Sequence, residues 1–111
     1  MPYLKLQTNQ KVDDSELISK LSAKVAKELG KSESYVMVAL QPEVELSFAG
    51  TNKPAAFIQL KSIGLKETMT EELSKMLCNF TENELGVPKN RVYIEFTDAP
   101  AKMWGWNGGT F

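Results

Sequence analysis

Histidine is absent from this chain of 111 residues, and cysteine and arginine each occur once. The absence of histidine removes the commonest general base and the commonest neutral metal ligand of proteins. A single cysteine, Cys78, excludes an intrachain disulfide and a Cys-x-x-Cys site, and it suits a reducing compartment. We therefore expect no metal site, and an enzyme built from this chain needs an unusual source of proton chemistry.

Long apolar runs, nucleotide-binding motifs and a charge excess are missing too. No apolar stretch approaches the ~20 residues of a membrane span, and the start of the chain reaches Lys5 and polar TNQK without a signal-peptide core. GxxxxGK[ST], GxGxxG and GxSxG do not occur. The formal net charge is -1, from 13 basic and 14 acidic residues. We expect a soluble, cytoplasmic protein that binds neither nucleic acid nor membrane, with release without a signal peptide left open.

What the chain does contain is two similar halves, of which the first reads as strand, helix and strand. YLKLQT alternates apolar and polar residues as a half-buried strand does. Asp13, Asp14 and Ser15 offer N-caps to a helix whose apolar positions recur from Leu17 until Gly30 ends it. YVMVAL then predicts a second strand.

The second half repeats this order with AAFIQLKS, a helix entered through a capping box from Thr68 to Glu71, and RVYIEF. ELGKSESYVMVAL from Glu28 and ELGVPKNRVYIEF from Glu84 match at an offset of 56 residues. Two such β-α-β units can share one four-stranded mixed sheet with both helices on one face. We predict one α+β domain over residues 1–111, with an internal repeat at about 2–50 and 55–111. VELSF between the halves predicts a short strand, and MWGWNGGTF forms a glycine-rich tail.

Five segments in this order carry a family resemblance across nearly the whole chain. They are MPYLKLQTN, ELGKSESYVMV, KSIG at Lys61 to Gly64, RVYIEF followed by Asp98, and GWNGGTF. Together they resemble macrophage migration inhibitory factor and its relative D-dopachrome tautomerase. The resemblance implies membership of the tautomerase superfamily and assembly as a homotrimer whose active sites lie between neighbouring subunits.

The resemblance also implies that Pro2 is the catalytic base once Met1 is removed. A free proline nitrogen is a secondary amine with a lone pair, and an apolar pocket lowers the pKa of such an amine toward neutrality. With Met1 attached, the same nitrogen is a tertiary amide without useful basicity. The alternative interpretation is structural, because a proline is tolerated at the start of a strand where no hydrogen-bond donor is needed.

The implied reaction is keto-enol tautomerisation of an α-keto acid such as phenylpyruvate, without a cofactor. Lys31 matches the family's substrate-binding lysine, the backbone N–H of Ile63 matches the donor to the substrate carboxylate, and Ser62 is expected to orient that loop. A lysine at a helix C-terminus is also common simply because it complements the helix dipole, so Lys31 has a structural interpretation as well.

Aromatic residues complete the implied pocket. Tyr93 matches a family residue contributed by the adjacent subunit, and Trp106 and Phe111 match residues near the mouth. Aromatic walls suit a substrate that carries a phenyl ring and keep the base dry. The alternatives are that Tyr93 packs in a subunit interface and that Trp106 belongs to the core.

The chain departs from the family pattern at three positions near this pocket. Glu95 stands where the family has an asparagine that reaches the substrate, so it is expected either to pair with Lys31 and weaken anionic substrates or to accept a substrate hydroxyl. Trp104 replaces a smaller aliphatic residue, and Tyr3 replaces a methionine. Trp104 and Glu95 therefore leave the substrate preference open.

Other chemistry is disfavoured by single residues. The segment that carries CxxC in the family's cytokine is here Ala55–Ile58, which contains no sulfur. Cys78 lies on the apolar side of the second predicted helix and is expected to be a packing residue. The glycosylation sequon at Asn79 falls within that helix and is expected to have no role.

We therefore carry two classes of function forward. The first is a tautomerase. The second is a cytokine-like interaction protein that binds a host or cellular receptor and has little or vestigial enzyme activity, for which the sequence shows no signature. Hydration or dehalogenation of an unsaturated acid is disfavoured because Arg91 is the only arginine.

Overall fold

A computed structural model describes all residues from 1 to 111. The long elements are two helices and four strands, namely β1 (Tyr3–Thr8), α1 (Leu17–Leu29), β2 (Met37–Gln41), β3 (Ala56–Ile63), α2 (Thr70–Leu85) and β4 (Val92–Ala99). The tail adds a short hairpin of β5 (Gly105–Trp106) and β6 (Gly109–Thr110). None of the helices is both long and apolar enough to cross a bilayer.

The four long strands form one mixed sheet in the order β2-β1-β3-β4. Each β-α-β unit contributes a parallel pair, β1 with β2 and β3 with β4, and the two units join through the antiparallel pair β1 and β3. The predicted α+β class and the four-stranded mixed sheet are therefore confirmed. The start of β1, the start of β2 and the end of β3 meet at one end of this sheet.

Both helices cover the same face of the sheet. Alternate residues of β1 and β3 are buried beneath them, as the period of a half-buried strand requires. The shared core includes Leu4, Leu6, Ile58 and Leu60 from the strands, with Leu21 and Leu77 among the helical residues. The opposite face of the sheet carries no helix and remains open.

Both long helices end at a glycine in the left-handed conformation. Gly30 has φ 63° and Gly86 has φ 66°. The residue after each glycine donates its N–H back to the helix, Lys31 to the Ala26 oxygen at 3.0 Å and Val87 to the Thr81 oxygen at 3.2 Å. The matching helix exits in the two halves of the sequence thus correspond to matching turns.

The capping box predicted at the start of α2 is wrong, and at α1 the predicted Asp14 binds the turn that leads into the helix. α1 begins after Glu16 and α2 after Met69, and neither cap residue makes a side-chain hydrogen bond. Asp14 instead accepts the Glu16 N–H at 2.9 Å and pairs with Lys20 at 2.8 Å. A short 3₁₀ turn, Glu67–Met69, replaces the expected capping box, and Thr70 donates its hydroxyl to the Glu67 carbonyl.

The expected strand in VELSF is also wrong. This part of the β2–β3 connection is irregular, and its Val44 N–H donates to the Thr8 oxygen at 3.0 Å. Phe48 and Thr51 form only an isolated bridge around Ala49 and Gly50, which both have positive φ. A local alternating pattern did not produce a strand because no edge of the sheet is paired with this segment.

We predict that Gly30→Ala and Gly86→Ala each lower the free energy of unfolding by about 1–2 kcal/mol, because an L side chain is strained in the left-handed region. A Cβ at either glycine meets no atom within 4 Å, so backbone strain is the only cost. Gly109→Ala is the control, since Gly109 is not left-handed and its added Cβ would make an ordinary contact. Denaturant unfolding measures the free energy of unfolding of all three variants. Wild-type stability in Gly30→Ala and Gly86→Ala would contradict the left-handed conformation of these two glycines.

Candidate active site

The amino terminus lies at the end of the sheet where β1 and β2 begin. Pro2 directly precedes β1, is buried, and accepts the Met37 N–H through its carbonyl oxygen at 2.9 Å. The antiparallel register pairs Tyr3 with Lys61, which brings the end of β3 at Ile63 beside the start of the chain. Three separate segments of the sequence therefore surround the first residues.

A cavity of about 250 Å³ opens at this end of the sheet, and most of its wall is apolar. Four of the predicted site residues line it, namely Pro2, Trp104, Trp106 and Phe111. The Trp106 ring stacks on Phe111 with centroids 5.7 Å apart and meets Tyr35 edge-on at 6.1 Å. Trp106 is 57% exposed, so the alternative that it belongs to the core is wrong.

The Met1 amine lies beside this aromatic arrangement. The Met1 amine donates to the Tyr35 carbonyl oxygen at 2.7 Å. Burial lowers the pKa of this amine, and the positive charge of Lys31 lowers it further. An amine at this position is therefore uncharged over a wider pH range than an exposed terminal amine.

Lys31 reaches the same end of the sheet from the turn after α1. Its Nζ donates to the Ile63 carbonyl oxygen at 3.5 Å, which links the helix exit to the end of β3. The turn after β3 is held by Asp98, whose Oδ1 accepts the N–H groups of Gly64 at 3.0 Å and Leu65 at 3.1 Å. Lys31 and the backbone of Ile63 thus lie next to the terminal amine.

Ser62 does not line the cavity. Its side chain is buried on the helix-covered side of β3, and its hydroxyl donates to the Ile63 carbonyl at 3.4 Å. Ser62 therefore contacts the backbone at the end of β3 and brings no hydroxyl to the cavity.

Tyr93 and Glu95 lie elsewhere in the subunit. Tyr93 is in register with Phe57, which is in register with Gln7, so it lies two strands across and about 17 Å along the sheet from Pro2. Glu95 accepts a hydrogen bond from Gln59 Nε2 at 3.1 Å on the open face and makes no ion pair with Lys31. The folded chain does not bring these two side chains to the cavity.

Sequence reasoning missed Tyr35, which accepts the terminal amine and forms part of the aromatic wall. Its signal was available, because parallel strands begin at the same end of a sheet and Tyr35 lies two residues before β2 as Met1 lies two residues before β1. The cluster of Phe48, Tyr93 and Arg91 at the other end of the sheet was also missed. Its contacts depend on the irregular β2–β3 connection, for which the sequence pattern gave the wrong structure.

Cys78 and Asn79 both lie on α2, as the sequence predicts. Cys78 is half-buried on α2 and packs against the core. Asn79 lies within the same helix and is not exposed. The described residues contain no group of three or more Cys, Asp or Glu side chains placed to hold a metal ion.

We predict that Lys31→Gln raises the pKa of the terminal amine, because it removes the like charge that now lowers that pKa. Burial remains, so the pKa stays below that of an exposed amine. NMR titration of the first residue measures the change, with Lys27→Gln as a control that removes the same charge from the exposed last turn of α1. Equal pKa values in the wild type and Lys31→Gln would contradict the proposed proximity.

The same shift has a consequence for stability. Because the folded-state pKa lies below the unfolded one, the unfolded chain binds more protons between the two values, and stability rises with pH through that window. Lys31→Gln should raise the folded-state pKa of the amine, so the pH range over which stability rises should begin at a higher pH.

Comparison with known proteins is consistent with this geometry. The family model described as macrophage migration inhibitory factor matches residues 1–111. A macrophage migration inhibitory factor homolog of Trichinella spiralis is 42% identical, with 100% of both chains covered. The macrophage migration inhibitory factor of Xenopus laevis is 36% identical and covers 100% of this chain and 99% of its own.

Solved structures give the same result. The homologue from Prochlorococcus marinus superposes with a TM-score of 0.93 at 42% identity, covering 98% of both chains. The Trichinella spiralis protein superposes with a TM-score of 0.94 at 39% identity, covering 98% of this chain and 99% of that one. The chain therefore belongs to the macrophage migration inhibitory factor family of the tautomerase superfamily.

Proposed function

We propose that the protein is a homotrimeric, cofactor-independent tautomerase of phenylpyruvate-type α-keto acids, and that Pro2 is its general base after removal of Met1. The observation that carries this proposal is the environment of the terminal amine. Burial and Lys31 both lower the pKa of the Met1 amine, one residue from Pro2, and an aromatic-walled cavity of about 250 Å³ lined by both residues lies at the same end of the sheet. An amine at the start of the chain whose pKa is lowered toward neutrality in such a cavity fits proton transfer at carbon.

In the proposed reaction the Pro2 nitrogen takes a proton from the carbon next to the ketone. The electrons of that C–H bond form the C=C bond of the enol, and the carbonyl oxygen takes up the negative charge. Return of a proton from Pro2 to this oxygen completes the enol and restores the neutral amine. No electrons leave the substrate, which is why the reaction needs no redox cofactor.

The developing negative charge requires a nearby cation or hydrogen-bond donors. We assign this role to the Lys31 ammonium, and we assign binding of the substrate carboxylate to the Ile63 backbone N–H, with Ser62 orienting the turn. Trp106 and Phe111 form the wall for a phenyl ring, and the bulk of Trp104 narrows the same cavity.

The proposed trimer would supply what one subunit lacks. Tyr93 is 66% exposed and lies far from the Pro2 of its own subunit. β2 is an edge strand whose sequence, MVALQ, contains no charge or proline to block pairing with another chain. Exposed edges of this kind are normally covered. A neighbouring subunit covering this edge could bring its Tyr93 and Glu95 to the cavity.

The position of Glu95 bears on substrate choice under this proposal. In the subunit it is exposed and bonded only to the neutral Gln59 amide, so its carboxylate is available to a neighbour. A carboxylate beside Lys31 would weaken binding of an anionic substrate, or accept a substrate hydroxyl.

We predict that protein whose mass shows loss of Met1 tautomerises phenylpyruvate, and that Pro2→Gly lowers kcat/KM by about 10²–10⁴-fold, the usual contribution of a general base. A form with an alanine inserted between Met1 and Pro2 should show a comparable loss, because the proline nitrogen is then an amide. Ultraviolet detection of the enol measures all three. Equal rates in all three forms would contradict the proposed role of Pro2.

We predict that sedimentation equilibrium gives three times the 12.4 kDa of one chain. Ala39→Lys places a charge on β2 and should reduce the fraction of trimer while the circular dichroism of the subunit is retained. Ile18→Lys is the control, because Ile18 is an exposed apolar residue of α1, outside the sheet. A wild-type protein that remains monomeric at micromolar concentration would contradict the assembly.

A further inference from the structure

We propose that Arg91 is a positioning residue for this site, which holds the 48–54 segment and Phe48 so that Tyr93 is presented in a fixed orientation to the cavity of a neighbouring subunit. This inference rests on the proposed function and adds to it a residue that makes no contact with the cavity of its own subunit. Arg91 is also the only arginine in the chain.

The guanidinium of Arg91 binds backbone oxygens and no carboxylate. Nε donates to Pro54 at 2.8 Å, Nη1 to Phe48 at 3.1 Å, and Nη2 to Lys53 at 3.0 Å and Thr51 at 3.5 Å. All four acceptors lie in the irregular connection between β2 and β3. Two backbone hydrogen bonds between Phe48 and Thr51 close the turn, and Asn9 Nδ2 donates to the Asn52 and Lys53 oxygens. Arg91 is therefore one of two side chains that hold this segment, and it is the one that binds the Phe48 oxygen.

The same guanidinium lies over the Phe48 ring, with 5.2 Å between its central carbon and the ring centroid. Phe48 in turn packs on Tyr93 with centroids 4.7 Å apart and an interplanar angle of 57°. Arg91 therefore acts on Tyr93 in two ways. It precedes Tyr93 by two residues and lies directly before β4, and it fixes the ring against which Tyr93 rests.

Lysine could not replace arginine in this role. The guanidinium is a planar group with five N–H donors in fixed directions, and it stacks on an aromatic face. An ammonium is a single charged point that could reach one or two of these oxygens and would leave the others without a donor. Arg91→Lys thus keeps the charge and removes the geometry.

Tyr93 is the part of this cluster that is free to contact another molecule. Its ring is 66% exposed, while Phe48 and Arg91 are each partly buried behind it. Phe48 and Tyr93 also line an apolar cavity of about 350 Å³ together with Leu46, Ala55, Ala56 and Phe57. A mobile Tyr93 would lose rotational freedom on meeting a substrate, whereas a ring held by Phe48 has already lost it.

The test is a double-mutant cycle in the processed, trimeric protein, with Arg91→Lys, Tyr93→Ala and the double variant. Arg91→Lys should raise KM for phenylpyruvate roughly three- to tenfold, on the scale of one aromatic contact, with kcat changed less. In the Tyr93→Ala background the same change should leave KM unaltered, because Arg91 acts through Tyr93. Lys89→Arg, the reverse exchange two residues away in an exposed position, is the matched control.

A second measurement does not depend on activity. The Phe48 ring should displace the NMR shifts of the Tyr93 ring protons, which are assigned by comparison with Tyr93→Phe. Arg91→Lys should move them toward the values of an unpacked tyrosine, and Lys89→Arg should not. Where Arg91→Lys fails to fold, Phe48→Leu removes the stacking partner and is expected to give the same KM effect through Tyr93.

The outcomes separate this inference from the proposed function. Equal effects of Arg91→Lys on KM with and without Tyr93 would show a general structural role and overturn the inference. Unchanged Tyr93 ring shifts in Arg91→Lys would overturn it as well. If the processed wild type is inactive, the proposed function fails for all variants alike, and a role of Arg91 in that active site fails with it. The Tyr93 ring shifts still decide whether Arg91 positions Tyr93.

Discussion

The parallel pairing of β1 with β2 fixes the position of the amino terminus, and the candidate site depends on that constraint. Parallel strands begin at the same end of a sheet, so the residues before β1 and before β2 become neighbours. The Met37 N–H on the Pro2 carbonyl closes this contact at 2.9 Å. A chain terminus is usually poorly ordered unless a sheet or helix holds it. Here the first strand is central, and the terminus is held on both sides.

A held terminus supplies a chemical group that the side chains of this protein lack. The chain has no histidine, and a main-chain amine is the remaining group whose ordinary pKa is near neutrality. Two effects lower that pKa, of which burial is the larger and the Lys31 charge the smaller. Both follow from the fold, because the turn after α1 places Lys31 at the end of β3, where its Nζ meets the Ile63 carbonyl. The absence of one residue type is thus compatible with proton chemistry.

The sequence predicted the repeated architecture well because each of its elements had a local cause. Alternation produced the strands, helical periodicity the helices, and Gly30 and Gly86 their ends. It failed where the cause was not local. The Asp14 carboxylate was used by Lys20 and the Glu16 N–H instead of capping α1, and VELSF found no strand to pair with.

The predicted site residues divide along the same line. Pro2, Trp104, Trp106 and Phe111 line one cavity. Their positions follow from the start of the first strand and the fold-back of the tail, so motif and order sufficed to find them. Tyr93 and Glu95 lie at a distance that no property of a single chain bridges. Under the proposed trimer, their placement in a site would depend on an assembly that periodicity and spacing do not describe.

The internal repeat makes this division intelligible. At the offset of 56 residues, Pro2 corresponds to Ile58, which is fully buried in the middle of β3 and has no free amine. Lys31 corresponds to Val87, which is fully buried as well. The amine and its cation therefore occur in the first half of the repeat alone.

Met37 and Tyr93 are the counterparts that both remain exposed, at 65% and 66%, on the two edge strands of the sheet. Met37 lines the cavity at the amino terminus, and Tyr93 lines the apolar cavity at the opposite end. A cyclic arrangement, in which the β4 edge of one subunit approaches the β2 edge of the next, would use both surfaces at once and repeat until the ring closes. Such an arrangement would bring the aromatic surface of the second half to the amine of the first half, which the internal twofold relation alone keeps at opposite ends of the sheet.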